Sequence, residues 1–139
     1  MAVILASSCL LGCECRYKGD GCKCDALIKL AESNTIIGVC PEQMGGLPTP
    51  RDPAERKGDK VISCAGKDVT KAYTKGAETA LYFAKLNHVD FAVMKAKSPS
   101  CGKGLIYDGT FTGNKIPGNG VTVELLNANG IPVFTEDEL

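Results

Sequence analysis

Short apolar runs alternate along the chain with longer stretches whose apolar residues recur every three or four positions. "AVILA" (Ala2–Ala6), "TIIGVC" (Thr35–Cys40), "DFAVMK" (Asp90–Lys95) and "IPVFTE" (Ile131–Glu136) are brief and rich in β-branched residues. Such runs predict buried strands. Between them, "ALIKLAES" reads as a helix of about two turns capped by Asp25. "DVTKAYTKGAETALYFAKLNH" predicts the longest helix, with Asp68 or Thr70 as its cap and Ala72, Tyr73, Gly76, Ala77, Ala80, Leu81, Phe83 and Ala84 at helical spacing. "VTVELLNANG" predicts a helix that stops at Gly130.

The remaining segments break these periods. From Pro41 to Gly58 the chain carries prolines at 41, 48, 50 and 53 and glycines at 45, 46 and 58, which predicts a long loop with one helical turn at most. A loop of that length in a compact domain usually has a function. "KVISC" (Lys60–Cys64) predicts a short strand, and "LIYDGTFTGNKIPGNG" a loop or hairpin turned at Asp108-Gly109 and Gly118-Asn119. Strands that alternate with helices form right-handed β-α-β units on a mainly parallel sheet. The expectation is an α/β fold: one Rossmann-like, flavodoxin-like domain spanning residues 1–139.

Composition narrows the function. A chain of this length buries roughly 68% of the surface it exposes when unfolded, and so needs no covalent staple. The sixteen basic residues equal the sixteen acidic ones, with no basic run and few aromatics. That argues against a nucleic-acid polymer as partner and in favour of a small molecule. The apolar start lacks a charged leader, and no stretch approaches the ~20 residues of a membrane span. A cytoplasmic protein with no membrane partner is expected. In that setting eight cysteines are read as metal ligands or reactive thiols, because disulfide frameworks belong to small secreted chains.

Three of these cysteines fall at comparable places. Cys9 follows the first strand, Cys40 ends the second, and Cys101, in "SPSCGKG", lies just beyond "DFAVMK". In open α/β sheets the ligand crevice lies outside the carboxyl ends of the strands, so thiols distant in sequence can meet there. Three thiolates fall short of the four ligands of a structural zinc but suit a centre with one open coordination position. A cysteine at a strand end is also, taken singly, a small buried hydrophobe. A separate array, "CECRYKGDGCKC", places Cys13, Cys15, Cys22 and Cys24 within one short segment and offers an alternative, a cysteine-rich metal-binding or thiol-redox protein.

The stretches "SSCLLGCECRYKGD", "VCPEQMGGLPTPRDPAE", "GKDVT", "KSPSCGKGLIYDGTFTG" and "IPGNGVT" together resemble the DUF523 family over nearly the whole chain. That resemblance implies a Rossmann-like fold and a 4Fe-4S cluster held by three cysteines, here Cys9, Cys40 and Cys101, with one open iron. It also implies a desulfidase that removes sulfur as sulfide from a thiolated nucleobase such as 2-thiouracil, with water replacing it and no net electron transfer. On that reading Glu42 is placed to act as general base, and Ser100 to relay a proton or bind the substrate. Arg16, Arg51 and Asp108 have weaker claims, and the single histidine, His88, is expected to cap a helix end.

Overall fold

The computed structural model describes residues 1–139. Strand β1 (Val3–Ser7) leads through a 3-10 turn (Ser8–Leu11) and a long connection into helix α1 (Asp25–Leu30), and then into β2 (Thr35–Val39). Helix α2 (Pro41–Met44) follows directly, then β3 (Ala54–Lys57), β4 (Lys60–Ser63), α3 (Thr70–Leu86) and β5 (Phe91–Met94). The chain closes with β6 (Leu105–Tyr107), β7 (Lys115–Pro117), α4 (Val121–Ala128), β8 (Val133–Thr135) and a last 3-10 turn. No helix is long and apolar enough to cross a membrane.

The main sheet has the order β2-β1-β5-β8, with every neighbouring pair parallel. Alternation along its strands divides the core in two. Leu5, Val39, Ala92 and Met94 meet Ala80 and Ala84 of α3 and Val123 and Leu126 of α4 on one face. Ile4, Ala6 and Val93 meet Leu10 and Leu27 on the other. This α/β/α layering is the expected Rossmann-like arrangement, and it leaves the carboxyl ends of β1, β2 and β5 together along one edge.

Three expectations need correction. The segment 41–58 holds the expected single helical turn, α2, but is not otherwise all loop: β3 pairs antiparallel with β4 across a two-residue turn at Gly58-Asp59, where Gly58 takes a left-handed φ of 61°. Asp25 is the first helical residue of α1, and Cys24 holds the cap position. Neither Asp68 nor Thr70 caps α3. Val69 does, while the Asp68 carboxylate accepts the Thr70 N–H at 2.9 Å and Thr70 Oγ1 accepts the N–H of Val61 at 2.9 Å. The expected hairpin is present as β6–β7, and His88 is exposed, with φ of 52°, just past the end of α3.

Two glycines set the position of α2. A Cβ on Gly76 of α3 would lie 1.8 Å from the Pro41 carbonyl oxygen, and one on Gly45 would lie 1.9 Å from that of Ala72. The two helices therefore touch backbone to backbone, so α2 and the residues beside it are fixed against the longest helix of the protein.

Candidate active site

A cavity of about 530 Å³ opens at the carboxyl edge of the sheet, and Cys9, Cys40 and Cys101 all line it, together with Cys15. Each is delivered by a different element. Cys9 lies in the 3-10 turn after β1, Cys40 is the cap residue of α2, and Cys101 follows the turn after β5. Cys9, Cys15 and Cys101 are buried and Cys40 is partly so; all eight cysteines of the chain are free thiols.

The thiol surroundings are unfavourable to a bare negative charge. Burial pushes the Cys101 thiol up to about 12, although the hydroxyls of Ser7 and Ser100 pull the other way. Cys15 is drawn down by the Cys40 thiol, but its contact with Cys9 and its burial carry it up to about 11. Cys40 is raised, by the Cys15 contact first and by burial second. Cys40 Sγ also lies 3.7 Å from the Cys15 carbonyl oxygen, which brings the "CRY" segment onto the same rim.

Glu42 lines the cavity, in the first turn of α2. Its Oε2 accepts two hydrogen bonds from Arg51, from Nε at 2.9 Å and from Nη2 at 2.7 Å. The pair is largely shielded, with side-chain exposures of 7% for Arg51 and 15% for Glu42. Burial works against the Arg51 charge, and the adjacent carboxylate more than restores it. Arg51 Nη2 also donates to the Cys15 carbonyl at 3.0 Å, so one guanidinium joins the acid to the cysteine rim. Tyr73 of α3, 2% exposed, lines the same wall. Its hydroxyl is raised above the usual phenol range by burial and then by the charge of Glu42.

Ser100 is placed otherwise than its neighbour in sequence suggested. It is fully buried, and its Oγ lies 2.8 Å from Thr122 Oγ1, at the start of α4, off the cavity wall. Ser98 lines the cavity instead, and its Oγ accepts the N–H groups of Ser100 at 3.1 Å and Cys101 at 3.0 Å. Arg16 reaches the rim and pairs with Asp20 at 3.5 Å. Asp108 does not line the cavity; its carboxylate accepts from Thr110 N and Oγ1.

The local cysteine array does not close on itself. Cys15 enters the cavity, Cys24 packs with Leu10 and Leu27, and Cys13 is exposed. No three histidine, cysteine or carboxylate side chains lie close enough to grip a single metal ion. Arg51, whose sequence claim is weak, lines the cavity, and so do Ser7, Tyr73 and Lys95, which no motif marks as site residues. Lys95 extends "DFAVMK", so its place at a strand end was a usable signal; its ammonium pairs with Glu136 at 2.8 Å.

Comparison with known proteins bears directly on this site. A solved structure of a [4Fe-4S]-dependent thiouracil desulfidase, TudS, superposes with a TM-score of 0.95 at 44% sequence identity, covering 100% of this chain and 93% of that one. The uncharacterized protein YbbK of Bacillus subtilis (strain 168) is 43% identical over 147 residues, covering 99% of this chain and 97% of YbbK. The family model for 2-thiouracil desulfurase matches residues 4–138. The chain belongs to the 2-thiouracil desulfurase family.

Proposed function

We propose that this protein is an iron–sulfur-dependent, non-redox desulfidase that converts the C=S of a thiolated nucleobase such as 2-thiouracil to C=O. The observation that carries the reading is the arrival of Cys9, Cys40 and Cys101, from three separate strand ends, at one cavity of about 530 Å³. Its donor set suits the group. Thiols delivered to one cavity from separate elements fit a polynuclear centre with an open position better than a closed four-ligand zinc site. Thiols held neutral by burial, and at Cys40 first by its contact with Cys15, would give up their protons to a group that supplies positive charge.

Cys9, Cys40 and Cys101 would hold a 4Fe-4S cluster, leaving one iron open. When bound, the cluster supplies a soft Lewis acid with a preference for sulfur over oxygen.

The chain's own groups manage water and protons. The overall change is R₂C=S + H₂O → R₂C=O + H₂S, in which one C–S double bond is exchanged for a C–O double bond and no electrons are gained or lost. Glu42 takes a proton from the attacking water. Both Arg51 bonds fall on Oε2, so Oε1 is the oxygen available for this task. Tyr73, beside Glu42, holds the neutral hydroxyl form and orients the carboxylate. Ser100 acts as a positioning residue: its buried hydroxyl, with that of Ser7, supports the Cys101 sulfur. Ser98 holds the turn through the N–H groups of Ser100 and Cys101. With eight free thiols, a reducing compartment such as the cytoplasm suits the protein.

The test is anaerobic reconstitution followed by measurement of sulfide and uracil from 2-thiouracil. Equimolar release of both, with no added electron donor, is the expected result. Uracil formed only when a reductant is supplied, or no sulfide from any thiocarbonyl in a panel, would refute the reading.

A further inference from the structure

Resting on this function, we infer that Phe111 is the residue that recognises the flat face of the pyrimidine ring, and that Glu55 is the positioning residue that holds it there. Four aromatic side chains line the cavity: Tyr17, Tyr73, Tyr107 and Phe111. Two of these rings already carry a cation, Lys18 at 5.8 Å from the centroid of Tyr17 and Lys115 at 5.4 Å from that of Tyr107. Tyr73 is buried and committed to the neighbourhood of Glu42. The Phe111 ring is engaged by no cation and no other aromatic ring, and it is 38% exposed. Among the large apolar side chains left exposed on the surface, it is the one that also lines the cavity.

The backbone that presents this ring is tightly held. Phe111 has φ of 58°, a left-handed conformation that bulky residues rarely adopt. Glu55 Oε1 accepts the N–H of Gly109 at 3.0 Å and that of Phe111 at 3.2 Å, fastening the turn to β3. The next residue of β3, Arg56, donates to the Asn119 carbonyl at 2.8 Å and pairs with Glu124 of α4 at 2.7 Å. Neighbouring residues of one strand thus secure both ends of the β6–β7 hairpin. A strained conformation kept in place by charged side chains, ending in an unengaged aromatic ring on a cavity wall, is the construction expected of a stacking platform. Stacking on an aromatic side chain selects a planar ring over an open-chain thiocarbonyl, whichever hydrogen bonds the two share.

The experiment uses reconstituted holoprotein and measures uracil binding by calorimetry, together with sulfide release from 2-thiouracil and from thiourea. Phe111→Ala is expected to weaken uracil binding about 10- to 100-fold. It should also reduce the preference for 2-thiouracil over thiourea, with iron content and visible absorption unchanged. Phe111→Tyr restores both, and Glu55→Gln shifts both in the direction of Phe111→Ala by a smaller factor. Phe111→Ala protein that keeps wild-type uracil affinity and preference, while wild type binds and turns over, overturns this assignment alone. Wild-type holoprotein that neither binds uracil nor releases sulfide overturns the proposed function, and the assignment with it.

Discussion

Arg51 meets Glu42 through one carboxylate oxygen, donating to Oε2 from both Nε at 2.9 Å and Nη2 at 2.7 Å. The geometry holds the acid still on the cavity lining beside the thiols and leaves its other oxygen without a bond from Arg51.

Replacing Arg51 with Ala strands a shielded carboxylate with no cation. The fold should lose roughly 3 kcal/mol, measured as a lowered urea midpoint with the slope unchanged. Arg51→Lys supplies the charge but not the planar fork, so it should restore stability better than it restores kcat.

Glu42→Gln conserves shape and removes the proton acceptor. Sulfide release should fall by about 10²- to 10⁴-fold, with iron content equal to wild type. Iron lost from this variant would instead make Glu42 part of the cluster's support.

The three proposed ligands and the local array separate cleanly in an iron assay. Cys9→Ala, Cys40→Ala and Cys101→Ala should each lower bound iron and the visible absorption of reconstituted protein. The triple change of Cys13, Cys22 and Cys24 to Ser should leave both intact, since none of the three lines the cavity. Iron that follows the array would refute the ligand assignment.

Acid should weaken the protein through three surface carboxylates. Asp68 is held low by the Thr70 hydroxyl and N–H, Asp108 by the same groups of Thr110, and Glu138 by Lys103. Each favours the folded state above its ordinary value of 3.8 for Asp or 4.5 for Glu, and that contribution disappears as pH falls through the lowered folded value. Urea midpoints should therefore decline below about pH 4.5, and more gently in the variant Asp68→Asn, Asp108→Asn, Glu138→Gln.

Much of this architecture was legible because burial imposes a period. β1, β2, β5 and α3 announced themselves through apolar spacing, and the strand-end rule then located Cys9, Cys40 and Cys101 without any tertiary information. The β3–β4 hairpin escaped because β3, "AERK", carries no apolar alternation; the Gly58-Asp59 pair was the one local cue to its two-residue turn. Ser100 was misplaced because proximity to Cys101 in sequence says nothing about direction. Ser98 Oγ captures two successive N–H groups, and the turn sends Ser100 to Thr122. Arg51 was undervalued because its segment is rich in proline, although its guanidinium is shielded by an acid and a carbonyl from elsewhere in the chain. Cys15 belongs to no strand end, and only the folded chain carries it to the others.

Adding a methyl group at Gly76 tests the helix contact behind the site. Gly76→Ala would drive a carbon onto the Pro41 carbonyl, and should cost roughly 3 kcal/mol and lower Tm by about 10 °C. The loss of activity at permissive temperature should exceed that of an equally destabilising change in β8, because α2 carries Glu42 and starts at Cys40.

The bare contact between α2 and α3 also divides the pocket for anyone wishing to retarget it. One part of the lining is a rigid anvil, machined to the backbone and intolerant of any added bulk, and it bears Cys40, Glu42 and Tyr73. Another part of the lining is a hairpin fastened by side chains that can be exchanged. Libraries aimed at new thiocarbonyls should leave the anvil untouched and diversify positions 107 to 113.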